Sequence, residues 1–221
     1  MTANYQLFPE LVSKQIQHLF TLRQKHFAST RENLAHLLRA CQFPHDQIVE
    51  AEQTHGSQVA VVDQKHRHTT VPIVDGLITQ TADLSLVIRA ADCGPLYFFD
   101  PTKKVIAVAH SGKKGTEQNI LKQTVMAMVE TYQSEISHIL CVLGPCIRPP
   151  LYEVDIAKKM AAQAQEIGLH QFYDCMENTG ADLNRFYSYR MEKGNTERHF
   201  AVLRLRSEPQ PNLACSKQES L

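Results

Sequence analysis

"LSLVIRAADCGPLYFFDPTKKVIAVAHSGKKGT" (84–116) holds three apolar runs, 84–90, 95–100 and 105–110, separated by short polar breaks. Runs of this length, rich in Val, Ile, Leu and Phe and bounded by turn residues, read as strands. Asp100-Pro101-Thr102-Lys103 is a turn signal between the second and third. Breaks this short leave no room for crossover helices, so the strands belong to mixed sheets with helices outside, not to a simple β-α-β alternation. The third run ends on His110 and passes through "SGKKGT" (111–116) into the amphipathic "EQNILKQTVMAMVE" (117–130).

The same texture extends outward from this block. "VAVV" (59–62), "PIVDGLIT" (72–79), "HILCVLG" (138–144) and "HFAVLRL" (199–205) also read as strands. Helices are predicted over 117–132, with Leu121, Val125, Met128 and Val129 on one face and Thr116 as N-cap, and over 153–167. Nearer the start, "PELVSKQIQHLF" (9–20) and "RENLAHLLRACQ" (31–42) both carry apolar residues at helical spacing, with Leu34, Leu37, Leu38 and Cys41 as a stripe in the second. The predicted fold is a single-domain mixed α/β sandwich with mixed sheets flanked by helices. It spans residues 1–206, and 207–221 is a polar, proline-containing tail.

The chain has 221 residues, 43% of them apolar, which is enough for a full core without staples. Lys plus Arg and Asp plus Glu balance at 23 each, which argues against a nucleic-acid partner. The start, "MTANYQLFPELVSKQ", lacks a cationic segment followed by an apolar one, and no apolar run reaches membrane-spanning length. A cytoplasmic protein with no membrane partner, monomeric or homodimeric, is expected. Six irregularly spaced cysteines do not form a disulfide framework pattern.

Three segments place a metal-capable residue at a strand end beside a glycine: His55 in "EQTHGSQVAVV", Cys93 in "RAADCGPLYFFD" and His110 in "VIAVAHSG". Strand ends hold side chains from distant positions at fixed separation. Spacing alone does not join the three, which lie far apart, unlike the close pairs of a zinc finger. Singly, a histidine at a strand end is more often a hydrogen-bonded or surface residue, and a cysteine between apolar runs a small core residue.

"FTLR" (20–23), "QTHGSQV" (53–59), the block 74–116, "LGPCIRPPLYEV" (143–154) and "FYSYRMEKGNTERH" (186–199) resemble, in order, the signature blocks of the laccase-domain family. That family was once named multicopper polyphenol oxidases and is now understood as purine nucleoside phosphorylases. The resemblance implies a zinc ion held by His55, Cys93 and His110. It also implies phosphorolysis of adenosine, inosine, guanosine and methylthioadenosine, with a side activity deaminating adenosine. Two imidazoles and a thiolate suit zinc, and three protein ligands leave a catalytic position open. The same donors could form a single blue-copper centre, which alone would not reduce oxygen by four electrons, so copper is the lesser expectation. The same resemblance implies that Arg23 and Arg190 clamp phosphate, that Ser111, Lys114, Tyr152 and Glu153 lie at the substrate, and that Asp92 orients a ligand or protonates the leaving base. Asp92 has an ordinary reading as a turn cap, and Arg198 as an ion-pair residue. Cys146 and Cys175 match family cysteines and read as structural.

The chain departs from the family in two places. The usual pattern resembles H-A-G-W-R-G, where this sequence has Ser111, Lys113 and Lys114. A stacking surface is lost, and lysine does not reproduce arginine's bidentate fork. The segment between "YEV" and "DCMEN", residues 155–173, is also shorter than the family's. Two alternatives follow. One is a cysteine hydrolase with Cys93 as nucleophile and His110 as base, disfavoured by the negative charge of Asp92. The other is a catalytically impaired zinc-binding relative that acts as a binding subunit. The glycine loop 111–116, at a strand-to-helix junction, has the composition of an anion site.

Overall fold

The structure is a computed structural model that describes residues 4–25, 27–44 and 46–208. Two six-stranded sheets face each other. In chain order the strands are β1 (Tyr5–Gln6), β2 (Ile16–Thr21), β3 (Ile48–Ala51), β4 (Val59–Val61), β5 (Thr69–Val71), β6 (Gly76–Thr79), β7 (Ser85–Ala90), β8 (Gly94–Asp100), β9 (Val105–Ser111), β10 (Leu140–Leu143), β11 (Gln171–Asp174) and β12 (His199–Leu205). The helices are α1 (Arg31–Ala40), α2 (Lys113–Glu117), α3 (Ile120–Tyr132) and α4 (Ile156–Glu166). The first sheet runs β1-β2-β12-β7-β3-β5 and the second β11-β10-β8-β9-β6-β4. Both mix parallel and antiparallel pairs, the mixed α/β sandwich read from the sequence.

Alternation along the strands builds the layers. On β8, Tyr97 and Phe99 face the core between the sheets, while Leu96 and Phe98 face the helical layer of α3 and α4. On β9, Ile106 and Val108 point inward, and Val105, Ala107 and Ala109 point to the helices. On β12, Ala201, Leu203 and Leu205 point inward, whereas Phe200 and Val202 pack beneath α1 with Leu34, Leu37 and Leu38. These strands are buried on both faces, which is why they appear in the sequence as unbroken apolar runs.

Two predicted elements differ from the structure. Residues 9–20 are not a helix: a 3-10 turn at Pro9–Leu11 leads into β2. Ile16 and Phe20 join the inter-sheet core and Leu19 the α1 layer, so the period is two. His18, between them in register, interrupts the apolar alternation in sequence. It is buried and accepts a hydrogen bond at Nε2 from the Phe8 amide at 2.8 Å. Thr116 is not an N-cap. It lies inside the short α2, and α3 is capped instead by Asn119, whose side chain accepts from the Lys122 amide. The predicted 153–167 helix is α4, capped by Asp155. Short strands β1, β3, β5 and β11 were not predicted. Of the predicted tail, all but residues 207 and 208 lies outside the described residues.

A second buried histidine ties the chain termini of the core together. His199, at the start of β12, donates from Nδ1 to the Thr21 carbonyl at 2.7 Å and accepts the Tyr187 amide at Nε2 at 2.8 Å. Burial holds its pKa down to about 3, and that of His18 to about 4, so both rings are neutral in the fold.

Candidate metal centre

The β8–β9 register brings the candidate donors together. Gly94 pairs with Ser111 and Pro95 with His110, so Cys93, one residue before β8, sits at the end of β9. β6 is β9's other neighbour, and Asp75, just before it, takes the His110 amide on its carbonyl at 2.8 Å. β4 pairs with β6 and is preceded by the turn carrying His55. As a result, ligand atoms of His55, Cys93 and His110 all lie within 4.8 Å of one another. The two imidazoles meet edge to face, 4.9 Å between centroids. His110 is buried, Cys93 half-buried and His55 exposed, so the cluster opens to one side.

Asp75 organises two of the three. One oxygen accepts from His110 Nδ1 at 2.9 Å and from the His55 amide at 3.0 Å. The other accepts the amides of Thr54 at 3.1 Å and Gly56 at 2.7 Å. This holds His55 in a left-handed turn (φ 60°). Burial raises the Asp75 carboxyl's pKa, but the His110 ring and the surrounding amides outweigh it and bring it to about 2. The ionised carboxylate accepts the Nδ1 proton of His110, which leaves Nε2 as the ring nitrogen offered to the cluster once its own proton is displaced. Burial pushes the Cys93 thiol up, yet the charges and hydrogen bonds of His110 and His55 bring it down to about 6. Burial pulls His110 down, and Cys93 and Asp75 together lift it to about 9. The sulfur is therefore held as thiolate, the form that ligates a metal.

Two glycines permit the close packing here. A Cβ on Gly112 would lie 2.8 Å from Cys93 Sγ, and one on Gly115 would lie 2.8 Å from the Gly56 carbonyl oxygen. The glycines of the loop predicted to hold an anion pack against the cluster, its Lys113 and Lys114 line the adjoining cavity, and the helix it opens has only five residues.

A cavity of about 890 Å³ adjoins the cluster. Tyr152, Tyr189, Arg190, Arg198, Lys113, Lys114 and Asp92 line it together with the three donors. Arg190 lies over the Tyr152 ring at 4.7 Å and pairs with Glu153 Oε2 at 2.8 Å. Arg198 lies over Tyr189 at 5.2 Å and donates to the Thr196 and Glu197 carbonyls rather than to a carboxylate.

Three residues expected at the substrate, Arg23, Ser111 and Glu153, are not among those lining the cavity; Glu153 reaches it only through its ion pair with Arg190. Arg23 lies over the Tyr187 ring, pairs with Glu192 and donates to the Leu183 carbonyl. Ser111 is fully buried, its hydroxyl shared with Thr116 Oγ1 at 2.8 Å and Met160 Sδ at 3.5 Å. Asp92 does reach the cavity wall, but its carboxylate is fully engaged elsewhere: Oδ1 accepts from Thr179 Oγ1 and Oδ2 from the Arg190 amide, both at 2.7 Å. The carboxylate on the metal-capable histidine is Asp75, whose own segment, 72–79, has the sequence pattern of a strand. Cys146 is buried and Cys175 half-buried; neither belongs to the three-donor cluster. Among the described residues no helix is long and apolar enough to cross a membrane.

A family model described as multi-copper polyphenol oxidoreductase laccase matches residues 23–169. The purine nucleoside phosphorylase YlmD of Bacillus subtilis is 33% identical over 179 residues, which cover 74% of this chain and 62% of that protein. The purine nucleoside phosphorylase LACC1 of Mus musculus is 34% identical over 117 residues, covering 53% of this chain and 26% of that protein. The chain thus spans less than two thirds of the length of these curated relatives. Among solved structures, YlmD from Geobacillus stearothermophilus superposes with a TM-score of 0.83 at 22% identity, covering 93% of this chain and 100% of that one.

Proposed function

The chain belongs to the multi-copper polyphenol oxidoreductase laccase family, and on that premise we propose that it is a zinc-dependent purine nucleoside phosphorylase. Its substrates are adenosine, inosine, guanosine and methylthioadenosine, with adenosine deamination as a side activity. One observation carries the reading: three soft-to-borderline donors converge within 4.8 Å at the wall of a cavity large enough for a nucleoside and an anion. The described residues bring together a single cluster of this kind, too few ligands for the several coppers an oxidase of this name would use.

His55, Cys93 and His110 would hold the zinc, and Asp75 fits that role from behind by fixing His110. When bound, zinc supplies Lewis acidity at the open face of the cluster. In phosphorolysis a phosphate oxygen bonds to ribose C1′ as the bond to the purine nitrogen breaks, and the purine leaves with a proton. Lys114 and Arg190 supply the positive charge that positions the phosphate. Tyr152, held beneath Arg190, gives the cavity its flat aromatic wall. Asp92 acts through the main chain, pinning the Arg190 amide next to Cys93.

The thiolate of Cys93, with His110 and Asp75 behind it, also has the order of a nucleophile, base and orienting acid, which favours a cysteine hydrolase as the second reading. Chelation separates the two. Purified protein is mixed with inosine or adenosine, with and without phosphate and chelator, and free base and inosine are measured. Phosphate-dependent, chelator-sensitive release of base is the expected result. Activity that survives chelation supports the hydrolase, and bound zinc without turnover supports a binding subunit. Retention of both zinc and activity by Cys93→Ala overturns the site assignment.

A further inference from the structure

The cation cluster of the cavity already carries an anion of the protein's own. Glu153 follows the ring-bearing Tyr152 and sits just before α4. Its Oε2 pairs with Arg190 Nη2 at 2.8 Å, and its Oε1 faces Lys113 Nζ at 3.8 Å. One carboxylate therefore spans two cations that both line the cavity. The Glu153 side chain is 52% exposed and those of Arg190 and Lys113 are each 49% exposed. Such pairs in water are weak and are readily exchanged for a better ligand.

The other acids near the cavity behave differently. Glu50 is buried and takes three hydrogen bonds from the guanidinium groups of Arg31 and Arg89. Asp92 is buried and fully engaged by Thr179 and the Arg190 amide. Both are fixed parts of the wall, while Glu153 is held through exposed ion pairs and a contact with its own backbone amide. A phosphate offers the same charge-assisted hydrogen bonds to a guanidinium and an ammonium as a carboxylate does, with a larger charge.

We propose that Glu153 is a built-in competitor for the anion: it occupies Arg190 and Lys113 in the free protein and swings off them when phosphate arrives, so it sets the site's phosphate affinity. The inference rests on the phosphorylase reading for its substrate, and the experiment separates the two. Initial rates of base release from inosine are measured against inorganic phosphate for the wild type, Glu153→Gln and Glu153→Ser. Binding of inorganic phosphate alone is measured by calorimetry on the same three proteins.

The expected result is a phosphate KM lowered about two- to fivefold in both variants, the range set by the closer of the two exposed ion pairs, that with Arg190, the 3.8 Å contact to Lys113 adding little. The KM for inosine stays constant, and calorimetry shows a parallel gain in phosphate affinity. A phosphate KM that is unchanged or higher in both variants overturns the proposal; a rise would mean that Glu153 holds the guanidinium in the pose phosphate needs. If the wild type releases no base, the functional reading fails on its own. The calorimetric comparison still decides the competitor role, since tighter phosphate binding by the variants supports it and equal or weaker binding rejects it. Two substitutions at an exposed position guard against one failing to fold.

Discussion

The two sides of the cavity are built differently. On one side, His110 and Asp75 are almost wholly buried, and they are placed by strand register and by hydrogen bonds that engage both carboxylate oxygens. On the other, Lys113, Lys114, Arg190 and Glu153 are exposed or half-exposed, and they sit on a short helix and on turns. The difference teaches where each kind of chemistry belongs. A metal tolerates little error in donor position, so His110 sits on β9, Cys93 directly precedes β8, and the turn carrying His55 is pinned to Asp75 at the foot of β6. A phosphate is held by charge over a broader range of geometry, so flexible cations on turns suffice.

The sharpest way to break this contrast is to attack the framework with acid. His18 and His199 stay neutral in the fold, with pKa values near 4 and 3, while in the unfolded chain each takes its ordinary value near 6.5. Below that value the unfolded state gains protons that the fold refuses. Their contribution is therefore intact above pH 6.5 and is lost as pH falls toward 4 and 3. Chemical denaturation at stepped pH should show stability falling by up to about 1.4 kcal/mol per pH unit for each histidine. His18→Gln should flatten that slope.

Next in size is the carboxylate behind the ligands. Asp75→Asn should weaken zinc binding by about 10- to 100-fold, read by competition with a chromophoric chelator, because an amide cannot accept as the carboxylate does from His110 and the neighbouring amides. Gly112→Ala should cost about 1–3 kcal/mol of stability, since its methyl meets Cys93 Sγ at 2.8 Å. The same variant should distort the metal spectrum of a cobalt-substituted protein. The smallest effect is expected on the loop side. Lys114→Ala should raise the phosphate KM severalfold and leave zinc content unchanged, whereas loss of zinc from this variant would erase the distinction between the two sides.

The central strands were legible because β7, β8, β9 and β12 are apolar on both faces and therefore stand out as unbroken apolar runs. β2 was misread because His18 takes an inward position where a hydrophobe would complete the alternation. β3, β5 and β11 are short strands carrying Glu50, Thr69, Thr70 and Gln171, so their patterns resemble loops. In the site, spacing did not join His55, Cys93 and His110; a resemblance did. Asp75 was missed because its partners come from two distant segments and its own segment looks like a strand, while Asp92 drew attention by standing next to Cys93 in the chain. Proximity along the chain and proximity in space diverge at those two aspartates.

The alternation on β9 has one more consequence. His110 shares its parity with Ile106 and Val108, so the imidazole's address is an even-numbered slot counted from the start of the strand. Deleting a single residue between 105 and 109 would re-index every slot and deliver the ring to the side where α3 lies. Natural variants of this chain should therefore accept changes of side chain along β9 far more readily than any change in its length.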